Sequence, residues 1–302
     1  MVISGRDTQP GMETMDWTER RTRFRALIAG NRCVHPGSVY DAISARIAED
    51  LGFEVGIFSG SIGSMAVLGA PDIVVLTLTE FAAQANRVCR AGNLCLLVDA
   101  DHGYGNAMNV RRTVEELETA GVCAMSIEDT VLPRPYGPSG KPTLIPVEEG
   151  IGKMKAALDA RQDKNLVIAG RTSALAITGL DDAMKRAKAY EAAGVDAIFL
   201  AGGVTVEAIE AISSEIKIPI ITGGGAGSLA DLDWMAAHKV RVALQGHAPF
   251  SAAVLAVYNT LKALREGTKP EALTGIAPAD LMRRVTRGED YARWTKDFMG
   301  GA

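Results

Sequence analysis

Aromatic residues are scarce, at 5% of the 302 positions, so the core cannot be built around stacked rings; the 47% of hydrophobic residues must supply it through Ala, Val, Ile and Leu. Those are the residues that buried parallel strands favour, and the composition leans towards an α/β fold. Cysteine is scarce too. Cys33, Cys89, Cys95 and Cys123 make no Cys-x-x-Cys pair, which removes zinc knuckles and dithiol motifs from consideration. Four reduced, mostly buried thiols fit a cytoplasmic protein. Neither sign of charge dominates: 32 Lys plus Arg against 36 Asp plus Glu leave a net charge of -4, with no general attraction to nucleic acid or anionic lipid. The first 20 residues lack an apolar run long enough for a signal peptide or membrane span, being interrupted by Arg6, Asp7, Glu13, Asp16 and Glu19, and read as a loose arm.

What is present is alternation. Short, continuous apolar runs begin near Cys33, Val55, Leu94, Val122, Leu166, Ala197, Ile218 and Val240, with helical patterns between them. Asp41 can cap a helix that carries Ile43, Ile47 and Leu51 on one face and ends at Gly52; Thr79 starts another that closes at Gly92. The segment Glu118–Ile127 parallels Glu191–Leu200, each a helix end, a glycine cap and a buried strand. Eight such units predict a (β/α)8 barrel over residues 21–247, an open doubly wound sheet being the weaker alternative. Residues 248–302 form a helical extension: one long helix from Ala248 to Glu266, then short ones around Pro278–Arg283 and Glu289–Phe298.

A barrel places its chemistry at the carboxyl ends of its strands, so the residues that follow each apolar run matter most. Asp99 and Asp101, two apart, face the same side of an extended strand end, and with Glu128 on the next strand they form a set of hard oxygen ligands. Mg²⁺ keeps several waters, so one direct carboxylate, assigned to Asp99, and water-bridged neighbours would hold it; Mn²⁺ would serve as well. Asp101 and Asp129 could instead simply cap loops or helices. Arg171, after the run Leu166–Gly170, needs an anionic partner, either a substrate carboxylate or a structural acid. Ser59-Gly60-Ser61 could offer amides to a carboxylate, although a Ser-Gly turn alone is a weak signal. Of the histidines, His35 ends the first run, His102 adjoins the acids, His238 reads as structural, and His247 closes the eighth run, where a lone histidine is more often a satisfied polar residue than a catalyst. Gly223 to Gly227 could cradle a phosphate or be a plain loop.

At Ser59-Gly60-Ser61, Leu68–Asp72, Val98-Asp-Ala-Asp-His-Gly-Tyr-Gly-Asn106, Ser126–Asp129 and Ala169–Thr172 the chain resembles the isocitrate lyase and phosphoenolpyruvate mutase superfamily, from about Arg23 to the long final helix. The resemblance implies that Asp99 binds Mg²⁺ directly, that Asp72, Asp101 and Glu128 hold its waters, and that Ser59, Gly60, Ser61 and Arg171 hold the substrate. It also implies a homotetramer whose C-terminal helices pack on a neighbour's barrel. Lyases of the superfamily carry a Lys-Arg-Cys-Gly loop after the fourth strand; this chain has Leu132–Lys141 there, without cysteine, so the lyase acid-base thiol is missing. Phe199–Gly203 and the following glycines likewise lack the lyase glutamate and asparagine. Gln245-Gly-His-Ala248 is similar to the motif of the oxaloacetate decarboxylase subgroup, in which that histidine contacts substrate, while Gly223 and Gly224 depart from that subgroup's bulkier residues.

The expectation is therefore Mg²⁺-dependent decarboxylation of oxaloacetate to pyruvate through a metal-bound enolate, with Arg171 and Ser61 fixing charge and His247 orienting the C4 carboxylate. A phosphonomutase or a methylisocitrate-type carbon-carbon lyase is the alternative within the superfamily. A catalytically silent 2-oxo acid binding protein is the alternative of another class. The Leu132–Lys141 loop could be a fixed excursion or a closing lid.

Overall fold

The computed structural model describes residues 17–137, 140–223, 229 and 231–300. Eight strands run in the order of the sequence: β1 (Gly37–Ser38), β2 (Val55–Ser59), β3 (Cys95–Asp99), β4 (Ala124–Glu128), β5 (Val167–Thr172), β6 (Ala197–Ala201), β7 (Ile220–Gly223) and β8 (Val240–Ala243). All neighbours pair in parallel. The ring closes just ahead of β1, where Val34 N donates to Arg241 O (3.0 Å) and Ala243 N to Val34 O (2.9 Å). This is the barrel expected from the alternating runs. The first run is the exception: it contributes a bridge at Val34 and a two-residue strand, and the residues after it are held by side chains instead of a long ladder.

Every residue of β2, β4 and β6 is buried, which explains why these strands read as continuous apolar runs without alternation. Ile57, Leu97, Val167, Phe199, Ile221 and Val242 fill the barrel, while Phe58, Leu96, Val98, Ile127, Ile168 and Leu200 pack outward against helices. Those helices are α1 (Trp17–Ala29), α2 (Ala42–Asp50), α3 (Gly60–Gly63), α4 (Leu78–Cys89), α5 (Ala107–Ala120), α6 (Val147–Ala160), α7 (Ala174–Ile177), α8 (Leu180–Ala193), α9 (Val206–Glu215) and α10 (Leu232–Ala237). Helix α1 closes the amino-terminal mouth: Phe24 and Ile28 enter the barrel interior, and Arg21 donates to Val122 O (3.0 Å) and Glu118 O (2.5 Å). The expected arm to residue 20 thus gives way to helix from Trp17, and its remainder lies outside the described residues.

The local capping signals hold. Asp41 caps α2 through Ser44 N (2.7 Å), and Gly52 adopts φ +83° after it. Gly121 and Gly194, the matching glycines of the internal repeat, end α5 and α8 at φ +95° and +101°, a region open to glycine at little cost. Helix α4 corrects the expected start: the cap is Thr77, not Thr79, because Glu80 returns its carboxylate to Thr77 N (3.0 Å) and completes a capping box. It ends at Cys89, ahead of Gly92.

Beyond the barrel lie α11 (Ala248–Arg265), α12 (Ala279–Val285) and α13 (Gly288–Met299). Helix α11 buries none of its 18 residues, although Val254, Leu255, Val257, Tyr258 and Leu261 are each at least half exposed. Among the described residues, no helix is long and apolar enough to cross a membrane.

Candidate active site

A cleft of about 740 Å³ opens at the carboxyl ends of the strands. Its lining includes Ser59, Ser61, Asp72, Asp99, Asp101, Glu128, Arg171 and His247, so the residues singled out from the sequence meet in one place. Gly60 stands just behind, buried at the start of α3. Asp99 ends β3, Glu128 ends β4 and Arg171 lies near the end of β5, each delivered by parallel strands in register.

Asp101 arrives by another route than the spacing implied. The strand stops at Asp99, and Asp101 sits in a left-handed turn at φ +48°, so it does not share an extended strand face with Asp99. Its carboxylate instead packs on Gly60, where a Cβ would stand 2.2 Å from Oδ2; only glycine allows that approach. Gly103 and Gly105, at φ +76° and +148°, complete the turn. Asp129 has a different fate from its neighbour Glu128. It is fully buried on the outer side of the barrel, receives Arg186 Nη1 (3.0 Å) and Tyr190 OH (2.7 Å), and neither caps a helix nor lines the cleft.

Electrostatically the mouth holds four carboxylates against two guanidiniums, of Arg171 and Arg134, of which Arg171 stands among the acids. Arg171 pairs with Asp99 and lies 3.7 Å from Glu128; burial opposes its charge, but Asp99 and Glu128 hold it firmly ionised. Its Nε is buried with no partner among the described residues. Phe199, its direct neighbour on β6, offers a ring face 5.4 Å from the guanidinium carbon. Burial and then the charge of Asp99 push the carboxyls of Asp72 and Asp101 up, strongly for Asp101, where Glu128 adds to the effect. Glu128 is raised by burial, although Arg171 opposes this, and it accepts Thr130 Oγ1 at 2.5 Å. Ser126 Oγ donates to Asp99 (3.0 Å).

This donor set, all hard oxygen and burdened with unrelieved negative charge, fits a small divalent cation. Among the described residues no group of three or more His, Cys, Asp or Glu side chains closes round one ion.

His247 follows β8 and is bracketed: Ser38 Oγ lies 2.8 Å from Nδ1 and Ser59 Oγ 3.1 Å from Nε2, with Ser61 Oγ 2.8 Å from Ser59. Burial lowers its pKa, opposed by the charges of Asp99 and Asp72. Ser38, Thr130 and Phe199 were not legible as site residues; Ser38 stands in a stretch with no motif, and its contact spans the barrel seam. The other histidines lie elsewhere. His35 precedes β1 and meets Ala243 O (2.7 Å), His102 is buried beneath the acid turn with its pKa lowered to about 4 by burial and Lys153, and His238 stacks on Trp234. Gly223 lines the cleft, whereas the rest of the expected phosphate loop, 224–227, lies outside the described residues.

Comparison with known proteins places the chain in one family. The family model of phosphoenolpyruvate phosphomutase matches residues 24–265. An oxaloacetate decarboxylase of Rhodopseudomonas palustris is 56% identical over 286 residues, covering 95% of this chain and 99% of that protein. Among solved structures, phosphonopyruvate hydrolase in complex with oxalate and Mg²⁺ superposes with a TM-score of 0.83 at 26% identity, covering 93% of this chain and 99% of the other. A phosphoenolpyruvate phosphomutase of Streptomyces platensis subsp. rosaceus gives 0.83 at 27% identity, with 92% and 99% covered.

Proposed function

The chain belongs to the phosphoenolpyruvate phosphomutase family, within the superfamily that also holds isocitrate lyase, and from that premise we propose that it is a carboxy-lyase converting oxaloacetate to pyruvate and CO₂. The observation that carries this reading is 56% identity, over nearly the whole of both chains, to an oxaloacetate decarboxylase, together with a mouth that lacks a lyase-type thiol: all four cysteines are buried away from the cleft.

Asp99, with Asp72, Asp101 and Glu128 acting through water, would hold Mg²⁺ or Mn²⁺. The cation would supply Lewis-acid stabilisation of the oxyanion that develops at C2 as CO₂ leaves. Arg171, held by Asp99 and with Phe199 restricting its tilt, would present its guanidinium to a substrate carboxylate. The Ser59 to Ser61 turn contributes hydroxyls and backbone at the other wall.

The test is pyruvate formation from oxaloacetate by the purified chain with Mg²⁺, corrected for decarboxylation by the metal alone. A rate well above that background, lost on adding EDTA, is expected; a rate equal to free Mg²⁺ rejects the reading. Turnover of phosphonopyruvate instead would favour a phosphonomutase. The whole protein would work in the cytoplasm, in keeping with four free thiols.

A homotetramer is part of the same reading, supported by α11. A helix with five large apolar residues facing water and none buried has no stability of its own in that position, and a second copy's barrel would cover it. Leu255→Glu with Leu261→Glu is expected to shift the protein from tetramer towards smaller species in light scattering; an unchanged mass would reject this interface.

A further inference from the structure

Both ring nitrogens of His247 are engaged by serine hydroxyls, Nδ1 by Ser38 and Nε2 by Ser59. At the cleft wall the half-buried hydroxyl of Ser61 is joined to Ser59, Ser59 to His247, and His247 to Ser38, the one member of the four that does not line the cleft. Each hydroxyl both donates and accepts, and an imidazole passes a proton by taking one on one nitrogen while releasing the other.

The reaction requires such a device. Loss of CO₂ breaks the C3–C4 bond and leaves its electron pair on C3, conjugated with the C2 oxygen; pyruvate forms only when C3 gains a proton. The acids and Arg171 at the mouth are poor sources. Arg171 does not deprotonate, and Asp72, Asp99, Asp101 and Glu128 are the acids that would be engaged with a cation and its water. Lys153 is turned away, donating to His102 O at 2.9 Å.

Resting on the decarboxylase reading, we propose that Ser61, Ser59, His247 and Ser38 form one proton-transfer chain that protonates C3 of the product enolate, with Ser38 as the positioning residue that fixes the ring. The new C3–H bond takes the proton of Ser61 Oγ. Ser61 is refilled by Ser59, Ser59 by the Nε2–H of His247, and the unprotonated Nδ1 takes the proton of Ser38, whose hydroxyl is restored by water; the ring is left as the Nδ1–H tautomer and resets by passing its proton back through the hydroxyls before the next turnover. One proton is consumed in all, and no group changes oxidation state. Ser38 is suited to its part: it is buried, on the two-residue β1, paired in register with Ile57, and it reaches His247 across the seam where β1 and β8 lack a long ladder.

The experiment follows two signals at once with the full chain, oxaloacetate and Mg²⁺: CO₂ release, and pyruvate in its keto form through a coupled NADH-dependent lactate dehydrogenase. In the wild type the two coincide. In Ser38→Ala, and independently in Ser61→Ala, keto-pyruvate is expected to lag behind CO₂, the enzymic protonation step slowing by roughly 10²-fold, and Ser38→Thr is expected to restore coincidence. Traces that still coincide in both alanine variants would overturn the chain, as would a wild type that itself shows the lag, since protonation would then occur in solution. Absence of CO₂ release above the Mg²⁺ background in the wild type would instead reject the decarboxylase reading on which the chain rests.

Discussion

Asp99→Ala is expected to lower enzymatic decarboxylation of oxaloacetate by on the order of 10³-fold or more, to the rate of the metal ion alone, while leaving the barrel folded. A factor of that size corresponds to about 4 kcal/mol of lost transition-state stabilisation, within what a single Lewis-acid site contributes. The fold is expected to survive because the substitution removes a carboxylate from a cluster that repels itself. Arg171, which would lose its partner, still has Glu128 at 3.7 Å. The neighbours provide an internal scale: Asp101→Ala and Glu128→Gln, acting through water, should cost about 10–100-fold each. The checks are steady-state rates with saturating Mg²⁺ and melting temperatures of all variants. An Asp99→Ala enzyme that retains more activity than Asp101→Ala would reassign the direct ligand.

The largest effect on stability is expected one residue from the site, at the partner of Asp129. That carboxylate has no exposed surface and relies on Arg186 Nη1 at 3.0 Å and Tyr190 OH at 2.7 Å. Arg186 also donates to Ile145 O at 3.0 Å, so it ties the β4 end to the segment before α6. Arg186→Met would leave a buried charge without its counter-ion, a change that costs about 3–5 kcal/mol and on the order of 10 °C in Tm. Two controls separate this cause from general damage. Asp182→Ala removes the more exposed partner of the same arginine (2.8 Å) and should cost less than about 1 kcal/mol. The double variant Asp129→Asn with Arg186→Met, which neutralises both members, should recover part of the loss. Equal destabilisation in the single and double variants would show that packing, and not the stranded charge, sets the cost.

The order of strands was readable because parallel strands buried on both faces must be written as unbroken apolar runs, and the ends of the helices because Asp41, Gly121 and Gly194 act on backbone only a few residues away. The candidate acids were readable because a barrel delivers the last residue of each strand to one mouth. That rule brings Asp99, Glu128 and Arg171 together without any knowledge of side-chain contacts. Local inference failed where a distant group decides the outcome. Thr79 looked like the start of a helix until Glu80 closed on Thr77, and Asp101 looked like a neighbour of Asp99 on one strand face until the turn at φ +48° set it against Gly60.

The chain by itself determined the number and order of the strands and the approximate place of seven of them, β1 excepted, since hydrophobic burial and backbone capping act through patterns of a few residues. Only the tertiary structure decided that Glu128 faces the cleft while Asp129 faces Arg186, that Arg171 rests on Asp99, and that Ser38 meets His247 from 209 positions away. The reason is physical: a side-chain hydrogen bond or ion pair forms at about 3 Å between whatever groups the closed barrel brings opposite each other, and that meeting depends on the curvature and register of all eight strands at once.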